Sequence, residues 1–257
     1  MDLTEEQWDF VEPLIPKPRR RPDGRGRPWR DPRDILEAVL WMLRTGAPWK
    51  DLPARYPPYQ TCHRRYQQWC RDGTIERVLH ALAEHLYKRG GIDITEAFIH
   101  GHLRRGQKGG FAVGKTKRGK GTKIMAIADR HGLPIAAGIA SASPHETKLL
   151  EATVDACFLR FAPACLVGDR AYDSDPLDQR LRQERGIELI APHRSNRKRA
   201  KTQDGRVLRR YRWRWKIERL FACLLNYRRI TNRWDRHAEN FLGFVRLGCL
   251  RILLRHL

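Results

Sequence analysis

The hydrophobic period of this chain changes near Gly90, and that change limits the folds open to it. Before Gly90, apolar side chains recur three and four apart, the spacing of helices that bury one face. After it they fall into short alternating or continuous runs of the kind that form strands, broken by helical stretches. A chain that switches in this way is a mixed α/β protein with an all-helical N-terminal part.

The helical part has clear punctuation. "TEEQWDFVEPLIP" opens with Thr4 three residues before Gln7, an N-cap signature, and stops at a proline. "DPRDILEAVLWMLRTG" has Asp31 as cap, Pro32 in the first turn and Gly46 as stop, whereas "KPRRRPDGRGRPWRDPR" is a loop without periodicity. "TCHRRYQQWCRDG" runs from a Thr61 cap to Gly73, and "IERVLHALAEHLYKRG" follows at once. Short helices joined this tightly suit a helix-turn-helix module, here assigned to residues 1–88. Its second helix would carry His63, Arg64, Gln67 and Gln68 outward with Tyr66 and Trp69 packed, and Arg64, Arg65 and Gln68 are its DNA-contact candidates.

Residues 89–257 form the second part. "IDITEAFIHGHL" has the pattern of a strand, and "TKIMAIADRHGLPIAAGIAS" is two apolar runs around a turn, a hairpin signal. There follow a helix in "HETKLLEATVDACFLR", a buried strand in "ACLVGD", a helix in "DSDPLDQRLRQERG" capped by Ser174 or Asp175, and a strand in "IELIAP". A helical stretch from about Val207 and a C-terminal helix in "HAENFLGFVRLGCLRILLRHL" complete the order. The succession β-β-β-α-β-α-β-α, a hairpin joined to parallel strands with helical crossovers, is that of an α/β fold with an RNase-H-like mixed sheet.

Charge narrows the partners. Lys plus Arg number 51 against 29 Asp plus Glu, a formal charge of +22, which favours a polyanion and above all double-stranded DNA. No run approaches about eighteen apolar residues, so no membrane partner is expected. "MDLTEEQWDF" is acidic, unlike a signal peptide, and a cytoplasmic protein is expected. The six cysteines show no C-x-x-C pair and are expected to be reduced small hydrophobes.

Basic clusters and isolated acids carry the chemistry. "GKTKRGKGTK" lacks the Ser/Thr and the preceding strand of a P-loop, and is better understood as a phosphate-gripping loop presenting Lys115, Lys117, Arg118 and Lys120. Arg197 and Lys198 stand in a second basic loop. "HGH", His100 to His102, lacks the bulky apolar centre of a His-hydrophobe-His nickase, and both histidines could equally be strand residues facing a DNA groove. Asp169 ends the strand "CLVGD", where α/β proteins place ligands. In "RRYRWRWKIERLF" the carboxylate of Glu218 is surrounded by cations, and Tyr211, Arg214 and Glu218 at i, i+3 and i+7 share one helix face. A helix across the sheet could bring that face to Asp169, where carboxylates would hold Mg²⁺ or Mn²⁺ against a phosphate. Trp213 and Trp215 are expected to be core aromatics, Trp215 above all, with base stacking as the alternative.

At these residues the chain resembles the DDE transposases of bacterial insertion sequences, in the insertion sequence four and five superfamily. "LVGDRAYDSDPL", "IAPHRSNRK" and the Y-x2-R-x3-E of "YRWRWKIERLF" carry the likeness. "LTEEQWDFVEPLIP", "GAPWKDLPARYPPYQTCHRRYQQW" and "RRITNRWDRHAENFLGFVRLGCLRILL" extend it over nearly the whole chain. The resemblance implies an RNase-H-like core, Mg²⁺ or Mn²⁺, and hydrolysis and strand transfer at terminal inverted repeats. It also implies a homodimer or higher oligomer on DNA, in the nucleoid of a bacterium. It makes Asp169 the second catalytic Asp, Glu218 the catalytic Glu, and Tyr211 and Arg214 its companions. For the first Asp two registers stay open. In one branch of the family the strand reads F-I-D-G, which puts His100 of "FIHGHL" at the acid's place; in another the acid opens D-S-T-x-V, which selects Asp93 of "DITEAFIHGH". The expected metal ligands are therefore Asp93, Asp169 and Glu218, with His100 as the competing ligand. Leu225 departs from the polar or basic residue that usually ends the signature. The alternative function is a transposase relic that binds DNA without cutting it.

Overall fold

The computed structural model describes residues 3–17, 29–105, 110–117, 119–202 and 205–257. Helix α1 (Glu5–Val11) begins in a full capping box between Thr4 and Gln7. Asp31 caps α2 (Pro32–Thr45), and Gly46 ends it in the left-handed conformation that glycine adopts without cost. Helix α3 (Tyr59–Arg71) starts two residues before the expected Thr61 cap: the Pro58 carbonyl accepts from the Thr61 and Cys62 N–H groups, so no side-chain cap is needed. Helix α4 (Thr74–Lys88) follows after the left-handed Gly73.

The sheet is built from β1 (Ala97–Arg105), β2 (Gly114–Thr116), β3 (Gly119–Ala128), β4 (Pro134–Ser141), β5 (Cys165–Val167) and β6 (Glu188–Ile190). One edge of β3 pairs antiparallel with β1, and its other edge pairs with β4 and, beyond it, with the short β2. On the far side of β1, β5 and β6 run parallel to it. The result is the RNase-H-like sheet, three antiparallel strands continued by two parallel ones. The expected basic loop is a hairpin: Lys115 pairs with Lys120 across β2 and β3.

Helices α5 (Leu150–Asp155) and α6 (Asp175–Arg185) make the crossovers, α5 being shorter than its amphipathic stretch because a 3₁₀ turn occupies Glu146–Lys148. After α7 (Gly205–Leu208) and a 3₁₀ turn over Arg209–Trp213 come α8 (Trp215–Leu225), α9 (Arg228–Thr231) and α10 (Ala238–Leu253). Helix α10 is the structural link between the two parts. Gly243 lets α10 approach Cys70 and the Tyr66 ring closely, the Tyr66 hydroxyl donates to the Asn240 carbonyl, and Arg246 pairs with Glu76 at 2.9 Å. One apolar core therefore runs from Leu3 to Leu254 across the expected boundary at residue 88. Among the described residues all six cysteines are free, and burial pushes the thiols of Cys62 up to about 11 and of Cys70 and Cys249 up to about 12. No helix among them is long and apolar enough to cross a membrane.

Candidate active site

Strand pairing decides which residues meet. Phe98 of β1 lies level with Val167 of β5, so two residues further along both strands His100 comes beside Asp169. The Nδ1 of His100 is 3.9 Å from Asp169 Oδ2. Asp169 caps the turn that follows it, its Oδ1 accepting the Ala171 N–H at 2.8 Å, which leaves Oδ2 directed at His100. Glu146 enters from the 3₁₀ turn after β4, and Gly101 makes room for it: a Cβ there would stand 2.9 Å from the Glu146 Cδ. One ligand atom from each of His100, Glu146 and Asp169 lies within 4.8 Å of the others.

Two of these atoms have no protein partner. His100 Nδ1 and Glu146 Oε2 are buried and accept or donate no hydrogen bond among the described residues. Burial holds the His100 imidazole below its ordinary range against the opposing attraction of Glu146 and Asp169. The Phe221 ring meets it edge-on at 5.5 Å and stacks on His102 at 5.3 Å. His102 is pushed down to about 4 by burial and by Arg104, which donates to its Nε2. Tyr172, wholly buried, is held well above the usual phenol range by burial and by the charge of Glu146 beside it.

Helix α8 crosses β1 with Phe221 on the two histidines and Glu218 one turn nearer its N-terminus. Glu218 is half-exposed and paired with Arg214, whose own guanidinium lies over the Tyr211 ring at 5.7 Å. The shared face expected of Tyr211, Arg214 and Glu218 is present although a 3₁₀ turn precedes the helix. Arg214 Nη1 is buried without a hydrogen-bond partner among the described residues.

Asp93 is not brought to this place. It lies in the turn that leads into β1, and its Oδ1 accepts the Thr95 N–H and hydroxyl at 2.9 and 2.6 Å, while its Oδ2 lies 3.5 Å from Arg130. Its own N–H donates to the buried Asp129, which also takes the N–H groups of His131 and Leu133.

The DNA-contact candidates divide in the same way. Arg64, Gln68, Lys115, Lys117, Lys120 and Lys198 are exposed. Arg65 is buried, bonded to Gln68 and over the Trp29 ring at 4.4 Å, because its stem packs inward from α3. Arg197 is drawn inward by acids, bonding Asp173 and Asp175 at 2.8 Å, while His193 and the Arg194 N–H complete the hold on Asp173. Arg118 lies outside the described residues. Trp213 and Trp215, expected in the core, are exposed by 39% and 45%, and their partners are cations of the same segment and not core side chains: Lys216 at 5.2 Å from Trp213 and Arg219 at 5.0 Å from Trp215. Sequence reasoning missed Glu146; the only local signal was an acid directly after a strand, in "SPHETK".

Comparison with known proteins agrees with this architecture. Residues 84–253 match the family model "Transposase DDE domain", and residues 3–79 match "Putative transposase of IS4/5 family". The "Uncharacterized protein y4sN" of Sinorhizobium fredii is 35% identical over 81 residues, 32% of this chain and 62% of that protein. The "Insertion element IS402 uncharacterized 16.2 kDa protein" of Burkholderia cepacia is 32% identical over 117 residues, 44% of this chain and 80% of that protein. A product of Brucella ovis, "Putative transposase for insertion sequence element IS6501", is 30% identical over 138 residues, 52% of this chain and 98% of its own length. A solved piggyBac transposase synaptic complex with hairpin DNA shares the fold at a TM-score of 0.53 and 12% identity, over 99% of this chain and 71% of the other.

Proposed function

The chain belongs to the IS4/5 family of transposases and carries their DDE domain, and we propose on that footing that it binds the terminal inverted repeats of an insertion sequence and catalyses metal-dependent cleavage and strand transfer. The observation that carries this reading is the meeting of His100, Glu146 and Asp169 at the strand ends, beneath the helix bearing Glu218. Asp169 and Glu218 take the parts of the second catalytic Asp and the catalytic Glu. The first position belongs to His100, and Asp93 acts as a turn cap. The two unpartnered buried atoms, with an imidazole and two carboxylates, form a donor set that fits a divalent cation. Such an ion, when bound, activates an attacking oxygen and stabilises a leaving one. Arg214, with a free N–H beside Glu218, is suited to a phosphate oxygen of the strand being cut. Lys115, Lys117 and Lys120 on the β2–β3 hairpin, Arg64 and Gln68 on α3, and Lys198 supply backbone and groove contacts, with exposed Trp213 and Trp215 available for stacking. Assembly of two ends calls for at least two protomers on DNA.

A second reading, a DNA-binding relative that does not cut, is favoured by the imidazole of His100 in place of a hard oxygen ligand. Nicking of a labelled duplex carrying the element's own end, in Mg²⁺ or Mn²⁺, separates them. Cutting by the wild type that survives Asp93→Ala and is lost in Glu218→Ala supports the enzyme. No cutting by the wild type, with cutting gained in His100→Asp, supports the binder. Loss of wild-type cutting in Asp93→Ala, with the fold intact, overturns the assignment of the first position.

A further inference from the structure

We infer that the metal centre of this chain is a mixed nitrogen–oxygen site, ligated by His100 Nδ1 and Glu146 together with Asp169 Oδ2, and that it selects a transition-metal dication over Mg²⁺. The inference rests on the reading of this cluster as a divalent-metal site and adds which ion it takes and which residue completes it.

The geometry supplies the ligands. With metal–ligand distances near 2.1 Å, donor atoms around one ion stand roughly 3–4 Å apart. His100 Nδ1 and Asp169 Oδ2 are already at 3.9 Å, and Glu146 closes the set within 4.8 Å, so small side-chain movements suffice. Each atom is also available. The other oxygen of Asp169 is committed to the Ala171 N–H, while His100 Nδ1 and Glu146 Oε2 are buried and make no hydrogen bond among the described residues, the buried Tyr172 hydroxyl being the neighbour of the Glu146 carboxylate. A buried polar atom left unpaired is costly, and a cation shared by the three residues removes that cost. The edge of Phe221 against His100 and the absence of a side chain at Gly101 hold the imidazole and the Glu146 carboxylate in place.

Donor chemistry sets the preference. Mg²⁺ demands near-octahedral oxygen and keeps its waters, whereas imidazole suits Mn²⁺, Co²⁺ and Zn²⁺ increasingly well. One nitrogen among the protein donors therefore tilts the site away from Mg²⁺. Glu218, engaged by Arg214, stands outside the set.

The test is calorimetric titration of the full chain without DNA, with Mn²⁺ and with Mg²⁺, and a parallel Co²⁺ titration followed by its visible absorption. Wild type is compared with His100→Asp and Glu146→Gln, each first shown to melt cooperatively. The expected result is a Mn²⁺-over-Mg²⁺ selectivity that falls by at least about tenfold in His100→Asp, since even outer-shell changes cost about 10–100-fold. Glu146→Gln should weaken Mn²⁺ binding by at least about tenfold, and the Co²⁺ band should shift in His100→Asp as nitrogen is exchanged for oxygen. Selectivity unchanged in His100→Asp, or Mn²⁺ affinity unchanged in Glu146→Gln, overturns the inference while leaving a metal centre in place. Failure of wild type and His100→Asp to bind any of the three ions overturns the metal reading itself.

Discussion

The turn that leads into β1 and the middle of that strand carry similar residues and opposite inventories. In the turn every carboxylate has its partners: Asp93 takes the Thr95 N–H and hydroxyl, and Asp129 takes three backbone N–H groups. Around His100 an imidazole nitrogen and a carboxylate oxygen are buried with none among the described residues. Polar groups of the first kind hold the chain in shape, and their chemistry is consumed in doing so. A fold keeps groups of the second kind, at a cost in stability, where something outside the protein binds them. On the proposed reading, the place for a metal is marked by the polar atoms left unbonded there and not by the number of acids.

This contrast can be broken in several ways, and the largest expected effect lies in the turn before β1. Asp129→Ala would strand three backbone N–H groups in the interior, and a loss of about 3 kcal/mol or more is expected in denaturant unfolding, with metal binding retained in the folded protein. The acid limb of stability should come from the Asp173 lock. Burial opposes the charge of this carboxylate, but the Arg194 N–H, His193 and Arg197 outweigh it and hold it below its ordinary range. A carboxyl depressed in the fold stabilises it above its unfolded value near pH 4, and that contribution is lost as pH falls through the lower folded value. Asp173→Asn should therefore be less stable at neutral pH and should lose less stability than the wild type as pH falls below about 4 in acid titrations of unfolding. Asp93→Ala removes only a cap, so about 1 kcal/mol of stability should go and metal affinity should not change. An Asp93→Ala protein that lost its metal would erase the distinction between the two places. The smallest effect belongs to the surface: Lys115→Ala or Lys117→Ala should leave the melting temperature alone and lower the salt dependence of DNA binding by about 0.9 in log–log slope per phosphate contact removed.

The order of elements was legible because each depends on neighbours in sequence. The Thr4–Gln7 box, the Asp31 cap and the Gly46 stop are local bonds, and the sheet's order follows from strands and crossovers in succession. Asp169 was legible as an acid where an apolar strand runs out, and Glu218 as an acid among cations on a patterned helix. Which of Asp93 and His100 stands beside Asp169 was not, because that depends on the register of β1 against β5, and only the pairing of Phe98 with Val167 fixes it. Glu146 reaches its place through the return of the chain after β4, which no spacing reveals. The inward turns of Arg65 and Arg197 escaped for a related reason: a long stem lets the guanidinium find partners buried by tertiary packing. For Trp213 and Trp215 the signal was present in the flanking cations, which mark a surface more strongly than the indole rings mark a core.

The most direct test of whether the His100 cluster or the Asp93 turn carries the chemistry is the anomalous difference map of crystals of this protein soaked in Mn²⁺. The account predicts a peak bounded by His100, Glu146 and Asp169, with none beside Asp93. A peak at Asp93, with none at His100, would contradict it.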